Sequence, residues 1–262
     1  AIPLEVVTNM PAPAVIRAAT LLQPMHGVLL KDAYKNLGDS LIKKADAAIK
    51  LGISTGQTPA QMAAALFGKG RDLQGTGILG GIARRHVRTL VRTHTSYVLN
   101  YAKELTYVEN KDLVKRVKWV SALDARTTDI CIAHDGRTFK IGEGPRPPAH
   151  MQCRSTTVPV TKSWAELKKS GKLSKIPNTK KVPGKVRSSM TGNVPAKMRY
   201  KDWLKAEADA GNDELVMDVL GKVRYDLWKS GQVDIRQFWD TGKRLSLGAL
   251  REKIGLPRAM PP

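Results

Sequence analysis

Two cysteines and two histidines lie close together near the middle of the chain. Cys131 and Cys153 are the only cysteines among the 262 residues, and His134 and His150 lie between them. Thiolates and imidazoles are preferred ligands of structural zinc, which takes four of them. Cys131, His150 and Cys153 would supply three ligands, and His134 is the candidate for the fourth. Packed free thiols and a disulfide between the cysteines remain open as alternatives, although a reducing compartment disfavours the disulfide.

Carboxylates in the same stretch raise the alternative of an enzyme. A metal-dependent nuclease would use His134 or His150 as its base. Its Mg²⁺ would be held by Asp124, Asp129 or Asp135. A thiol enzyme would instead pair one of the cysteines with His150. Asp124 and Asp135 occupy turn sequences that account for them, and the stretch has no His-Asn-His or paired-carboxylate pattern. We therefore expect no catalytic residues.

Turn and strand signals predict how these side chains are positioned. Residues 124–127, Asp-Ala-Arg-Thr, are typical of a turn whose carboxylate accepts backbone N–H groups while Arg126 reaches a neighbouring acceptor. Asp135-Gly136 predicts a short β-hairpin between residues 131–133 and 138–141. Three prolines at 145, 147 and 148 hold the next segment extended. We expect this segment to bring His150 and Cys153 back towards the hairpin.

An ordered set of unusual residues runs from Trp119 to Pro159. It consists of Trp, Leu-Asp-x-Arg-Thr, Cys, Asp-Gly, Pro-Pro-x-His-x-x-Cys-Arg-Ser and a final Pro. This order resembles the signature of the MuF-type head morphogenesis family, the minor head proteins of tailed bacteriophages. Within the signature we expect a structural motif formed by Trp119, Asp124, Arg126, Thr127, Gly136 and Arg154.

The resemblance implies a virion protein that lies inside the capsid near the portal. Such a protein would support head morphogenesis and the packaging or ejection of DNA, and would be found in the host cytoplasm during assembly. Its implied partners are the portal protein, the major capsid protein or both, and double-stranded phage DNA, with no small-molecule substrate. Many family members carry two further cysteines where this sequence has Thr128 and Ser155. The family's zinc quartet is therefore incomplete here.

Positive charge is concentrated in one segment of the chain. Lys and Arg number 44 against 23 Asp and Glu, a formal net charge of +21, and residues 162–205 contribute +11 of it. Ser, Pro, Gly and Asn intervene, which predicts a flexible basic linker arm that contacts DNA phosphates without reading sequence. Three arginines spaced i, i+3 and i+7 add a basic helix face. The expected DNA-binding residues are Arg85, Arg88, Arg92, Lys168, Lys169, Lys172, Lys175, Lys180, Lys181, Lys185 and Arg187. Solvated surfaces without a ligand are the alternative.

Hydrophobic periodicity predicts an α+β protein that is mainly helical. Helices are expected over 28–51, over 58–66 with Thr58 as its cap, and over 82–105 as the longest. Further helices are expected near 213–221, 223–230, 234–240 and 247–254. The predicted order is an extended arm (1–27), a head morphogenesis domain (28–161) that contains the Cys/His module (117–161), the basic linker arm (162–200) and a small helical domain (201–262). The sequence has no apolar run long enough to span a bilayer and does not begin like a secretory signal.

Overall fold

The structure, a computed structural model, describes residues 11, 12, 14, 39–67, 84–171, 186–240, 243–253 and 255. Most of the expected N-terminal arm, the start of the first predicted helix and Lys172, Lys175, Lys180, Lys181 and Lys185 lie outside these residues. The described part is α+β and mainly helical, as predicted. It divides into two compact units, with residues 1–117 and 139–167 in the first and 118–138 and 168–262 in the second. No helix of the described residues is long and apolar enough to cross a membrane.

Three helices lead the first unit: α1 (Asp39–Ser54), α2 (Pro59–Phe67) and α3 (Arg84–Glu109). The start of α2 confirms the predicted cap. The Thr58 hydroxyl accepts the backbone N–H of Gln61 at 3.3 Å, and the Gln61 side chain accepts the N–H of Thr58 at 2.7 Å. Apolar residues at helical spacing in α1, α2 and α3, including Ile49, Leu66 and Val98, are buried. This burial stabilises the helices, which would be only marginally stable from helix propensity alone.

Short strands follow the long helix. They are β1 (Val114–Val120), β2 (Thr138–Phe139) and β3 (Thr156–Thr161), arranged in the order β2-β1-β3. Valines in β1 favour a strand because β-branched side chains pack well on a pleated surface. In the first unit, Tyr107, Val114 and Val117 form a buried cluster. The Tyr107 hydroxyl donates to the carbonyl of Thr157 at 3.0 Å, which ties α3 to β3.

The predicted hairpin around Asp135-Gly136 is wrong, because residues 129–134 form the helix α4 (Asp129–His134). The Asp135 N–H donates to the carbonyls of Cys131 and Ile132, and the Arg137 N–H donates to the carbonyl of His134. Gly136 has φ +75°, the left-handed conformation that commonly ends a helix and favours glycine. Asp-Gly therefore closes a helix here, a role that its sequence allows as readily as a hairpin turn.

A β-hairpin does occur, inside the segment that we predicted to be a flexible basic linker arm. Strands β4 (Val186–Ser189) and β5 (Gly192–Pro195) pair antiparallel, with Ser189 opposite Gly192. The N–H of Met190 donates to the carbonyl of Leu123 at 2.9 Å, which fixes the hairpin within the second unit. A short helix, α5 (Trp164–Lys169), lies near the other end of the expected arm.

The C-terminal helices predicted near 213–221, 223–230 and 247–254 are confirmed as α7 (Asp213–Leu220), α8 (Lys222–Lys229) and α9 (Leu247–Lys253). The helix α6 (Tyr200–Asp209), which precedes them, was not predicted. The region predicted as a helix over 234–240 contains a 3₁₀-helix (Ile235–Phe238) and the strand β6 (Trp239–Asp240), which pairs with β7 (Lys243–Arg244). Their core includes Trp203, Leu220, Phe238 and Leu250, all of which are buried. Leu123 and Ile132 belong to the same core. Residues 118–138 therefore fold with the C-terminal helices rather than as part of a separate module.

Candidate functional site

A buried carboxylate organises the second unit. The side chain of Asp135, which follows α4, has no exposed surface. It accepts the backbone N–H groups of Ser121 and Tyr200, each at 2.7 Å. The guanidinium of Arg187 completes the site at 3.2 and 3.3 Å from the two carboxylate oxygens. A buried carboxylate is tolerated because every one of these donors offsets the lost hydration.

Arg187 is a structural residue, which corrects the expectation that it contacts DNA. Its side chain is only 13% exposed. Besides the Asp135 carboxylate, its guanidinium donates to the carbonyl of Met198 at 2.9 Å and to that of Ser121. These internal acceptors take the N–H donors of the planar guanidinium that would otherwise bind a DNA phosphate. The sequence could not separate this arginine from the lysines that precede it in the basic segment.

The predicted turn at residues 124–127 is present, but Arg126 does not hold it. The Asp124 carboxylate accepts the N–H of Arg126 at 3.0 Å and the hydroxyl of Thr127 at 3.2 Å. The Arg126 side chain is exposed, and among the described residues it makes no hydrogen bond. The backbone and Thr127 satisfy the carboxylate without the guanidinium. The charge-assisted anchor that we expected from Arg126 is supplied instead by Arg187.

Trp119 is fully buried, as the expected structural motif requires. Its indole N–H donates to the Ser121 hydroxyl at 2.9 Å, and that hydroxyl donates to the carbonyl of Cys131 at 2.8 Å. The ring packs against His134 with centroids 5.2 Å apart. Burial, followed by the charge of Arg137, lowers the pKa of His134, so this imidazole is neutral near pH 7. Arg154, the last member of the motif, is exposed.

Asp129 also has structural partners. Its carboxylate accepts the indole N–H of Trp239 at 2.8 Å and the guanidinium of Arg244 at 2.7 Å. The three aspartates of the nuclease hypothesis therefore each hold local structure. In the described part of the chain they do not form a group that could bind a metal ion.

In the first unit, a loop fastened to α3 presents His150 and Cys153. Arg146 pairs with Glu104 on α3 at 2.9 and 3.0 Å, and the Gln152 N–H donates to the Thr93 hydroxyl at 2.9 Å. A hydrogen bond between the His150 ring and the Cys153 side chain raises the pKa of His150, and burial opposes this effect. Sequence reasoning missed Glu104 and Arg146, because residues 42 positions apart carry no local signal of their pairing.

His150 and Cys153 belong to the first unit, whereas Cys131 and His134 belong to the second. The four residues proposed from the sequence as zinc ligands are therefore divided between the two units. Both cysteines are buried thiols that form no disulfide.

One comparison with known protein families finds a match. Residues 43–158, 116 of the 262 residues, match the family described as Phage Mu protein F like protein. The similarity to that family is therefore shown for this segment. No curated protein and no solved structure matches the chain.

The Mu F-like segment, residues 43–158, contains the whole sequence signature up to the residue before its final proline. The recognition made from Trp119 to Pro159 is therefore confirmed. The segment also includes α1, α2 and α3, which precede the signature. The basic residues after 161 and the C-terminal helices lie outside it.

Two basic surfaces from the sequence analysis are described in part. Arg88 and Arg92, on α3 of the Mu F-like segment, are exposed. Arg85 lies on the same helix, and its side chain is outside the described part of the chain. Lys168 and Lys169, at the end of α5, are exposed. These four side chains are accessible to a polyanion, and their contact with DNA remains a prediction.

Proposed function

We propose that this chain is a minor head protein that lies inside the capsid near the portal and contacts packaged DNA without catalysing a reaction on it. The match of residues 43–158 to Phage Mu protein F like proteins supports the head-morphogenesis role. Portal or major capsid protein would be its protein partner. During assembly the chain would be in the host cytoplasm, and afterwards in the virion.

Charge supports the DNA contact. The net charge of +21 is far from neutrality, and half of it falls in residues 162–205. Lysines that neutralise phosphates release condensed counterions, which gives affinity without sequence preference. Binding of this kind weakens steeply with salt, so it restrains a packaged genome and still allows its exit. Arg88, Arg92, Lys168 and Lys169 supply exposed charge for this contact.

The engagement of the aspartates supports a non-enzymatic role. A nuclease needs carboxylates that face the metal and the scissile phosphate. Asp124 instead accepts hydrogen bonds within its own turn. Asp129 accepts from an indole and an arginine. Asp135 accepts from an arginine and two backbone amides. We therefore expect supercoiled DNA to remain intact when it is incubated with the protein and Mg²⁺. Its cleavage by the purified protein would favour the nuclease alternative.

Zinc is the metal that the proposed ligands Cys131, His150 and Cys153 fit best. Two thiols and one imidazole are sulfur and nitrogen ligands, which zinc prefers in a tetrahedral arrangement. Three ligands leave one position of that tetrahedron for a further group. Bound zinc would contribute to folding stability, because the unfolded chain holds no formed site.

Titration of duplex DNA over a range of salt concentrations tests the proposed contact. Each phosphate contact adds about −0.9 to the slope of log affinity against log salt, so about six contacts give a slope near −5. Glutamine at Lys168, Lys169, Lys180, Lys181 and Lys185 should make the slope shallower. The matched control replaces five exposed lysines on other surfaces, namely Lys43, Lys44, Lys111, Lys222 and Lys253. Equal slopes for the two variants would contradict a specific role of the arm.

A further inference from the structure

A cationic pocket in the second unit has none of the proposed zinc ligands and none of the expected DNA-binding residues in its lining. It has a volume of about 280 Å³. Its lining consists of Ile132, Ala133, Asp135, Arg137, Arg199, Lys201 and Trp239. Three of these side chains are cationic and one is anionic.

The single anion in the lining is already neutralised. Asp135 bonds to the Arg187 guanidinium on one side and to two backbone amides. Its charge is therefore balanced by a residue that is not part of the pocket wall. Arg137, Arg199 and Lys201 remain as the charges that an entering ligand would meet. The pocket consequently favours an anion.

The cations come from different segments of the second unit. Lys201, on α6, donates to the carbonyls of Arg236 and Trp239 at 3.2 and 3.3 Å. Arg137 and Arg199 are exposed, and a guanidinium nitrogen of Arg137 lies 3.5 Å from Nδ1 of His134. Three positive charges suit the charge of a phosphate group better than the single charge of a carboxylate.

Gly136 keeps the pocket open to Arg199. A Cβ atom at position 136 would lie 2.8 Å from Cγ and 2.9 Å from Nε of Arg199. The absence of a side chain therefore allows the Arg199 stem to cross the backbone directly beside Arg137. This crossing brings the two arginines to the same pocket.

We propose that this pocket binds a phosphate group. Arg137, Arg199 and Lys201 contact the phosphate oxygens, and Ile132, Ala133 and Trp239 form the apolar wall beside them. The indole of Trp239 is almost fully buried, so it lines the pocket rather than stacking on a base. The phosphate belongs either to a small phosphate ester or to a nucleic-acid backbone. The proposal does not rest on the DNA contact of the basic arm, because inorganic phosphate alone tests it.

The test is a titration of the full chain with inorganic phosphate at ionic strength held constant with sodium chloride. The indole N–H resonance of Trp239, assigned with Trp239→Phe, reports binding by NMR. We expect a saturable shift, and about 3- to 10-fold weaker binding for Arg199→Gln because one charged contact is lost. Arg126→Gln removes the same charge from an exposed site in the same unit and should leave the affinity unchanged.

Further ligands identify the source of the phosphate. One further ligand is a short single-stranded oligonucleotide that lacks terminal phosphates. If it binds at least as tightly as inorganic phosphate does, the proposal is supported with a backbone phosphate as the ligand. If inorganic phosphate and a mononucleotide bind but the oligonucleotide does not, the proposal is supported with a small phosphate ester as the ligand. The proposal is overturned if no saturable shift occurs, if acetate binds as tightly as phosphate, or if Arg199→Gln and Arg126→Gln behave alike.

Discussion

Replacement of Arg187 by methionine should strongly destabilise the second unit. The change removes the charge partner of the fully buried Asp135 carboxylate. It also removes the donors that reach the carbonyls of Met198 and Ser121. Loss of one partner from a buried ion pair costs about 3–5 kcal/mol. Since domains are stable by only about 5–15 kcal/mol, this loss is a large share of the total.

The assay is urea denaturation followed by tryptophan fluorescence. Trp119, Trp203, Trp228 and Trp239 belong to the second unit, and Trp164 alone to the first, so the signal reports mainly the second. Arg126→Met is the matched control, and its cost should stay within about 0.5 kcal/mol because its side chain is exposed. The reasoning is refuted if Arg187→Met costs no more than Arg126→Met, or if Arg126→Met is the more damaging change.

Three further predictions concern the first unit, the metal group and the basic arm. Burial lowers the pKa of His94 to about 4 despite the nearby Asp46, so between pH 6.5 and 4 the unfolded chain binds a proton that the folded chain does not. Stability should therefore fall by about 3 kcal/mol as the pH drops through this window, and circular dichroism melts should show a flatter pH dependence for His94→Gln. Elemental analysis should find about one zinc per chain, and Cys153→Ser should lose it; metal-free protein whose melting a chelator leaves unaltered would oppose the zinc proposal. The five-lysine glutamine variant should bind DNA more weakly to the same extent on any sequence while its melting temperature is unchanged, and a sequence-dependent loss would indicate base contacts.

Local signals in the sequence identified the helices well. Thr58, Pro59 and Gln61 predicted the start of α2 because the cap is made by residues three positions apart. Apolar spacing predicted α3 and the C-terminal helices for the same reason, since neighbouring turns determine which face is buried. The hairpin predicted from Asp135-Gly136 was wrong because a glycine in the left-handed conformation can either end a helix or form a hairpin turn.

Contacts between distant residues were not predictable. Arg187 and Asp135 are 52 positions apart, and nothing near either residue indicates their pairing. Composition alone marked residues 162–200 as a linker arm, although Val186–Ser189 and Gly192–Pro195 pair as strands. Met190 and Thr191 form the turn of this hairpin, and Gly192-Asn193 beside that turn was the signal that could have indicated it. Nothing in the sequence indicated that Cys131 and His134 belong to a different unit from His150 and Cys153.

The most direct test of the head-protein proposal is quantitative mass spectrometry of purified phage heads. Intact and opened particles would be treated with protease before peptides of this chain are counted against those of the portal and major capsid proteins. The proposal predicts a few copies per particle, protected in intact heads and digested once the heads are opened. Absence from the particles, or digestion while the heads are still intact, would contradict a position inside the capsid.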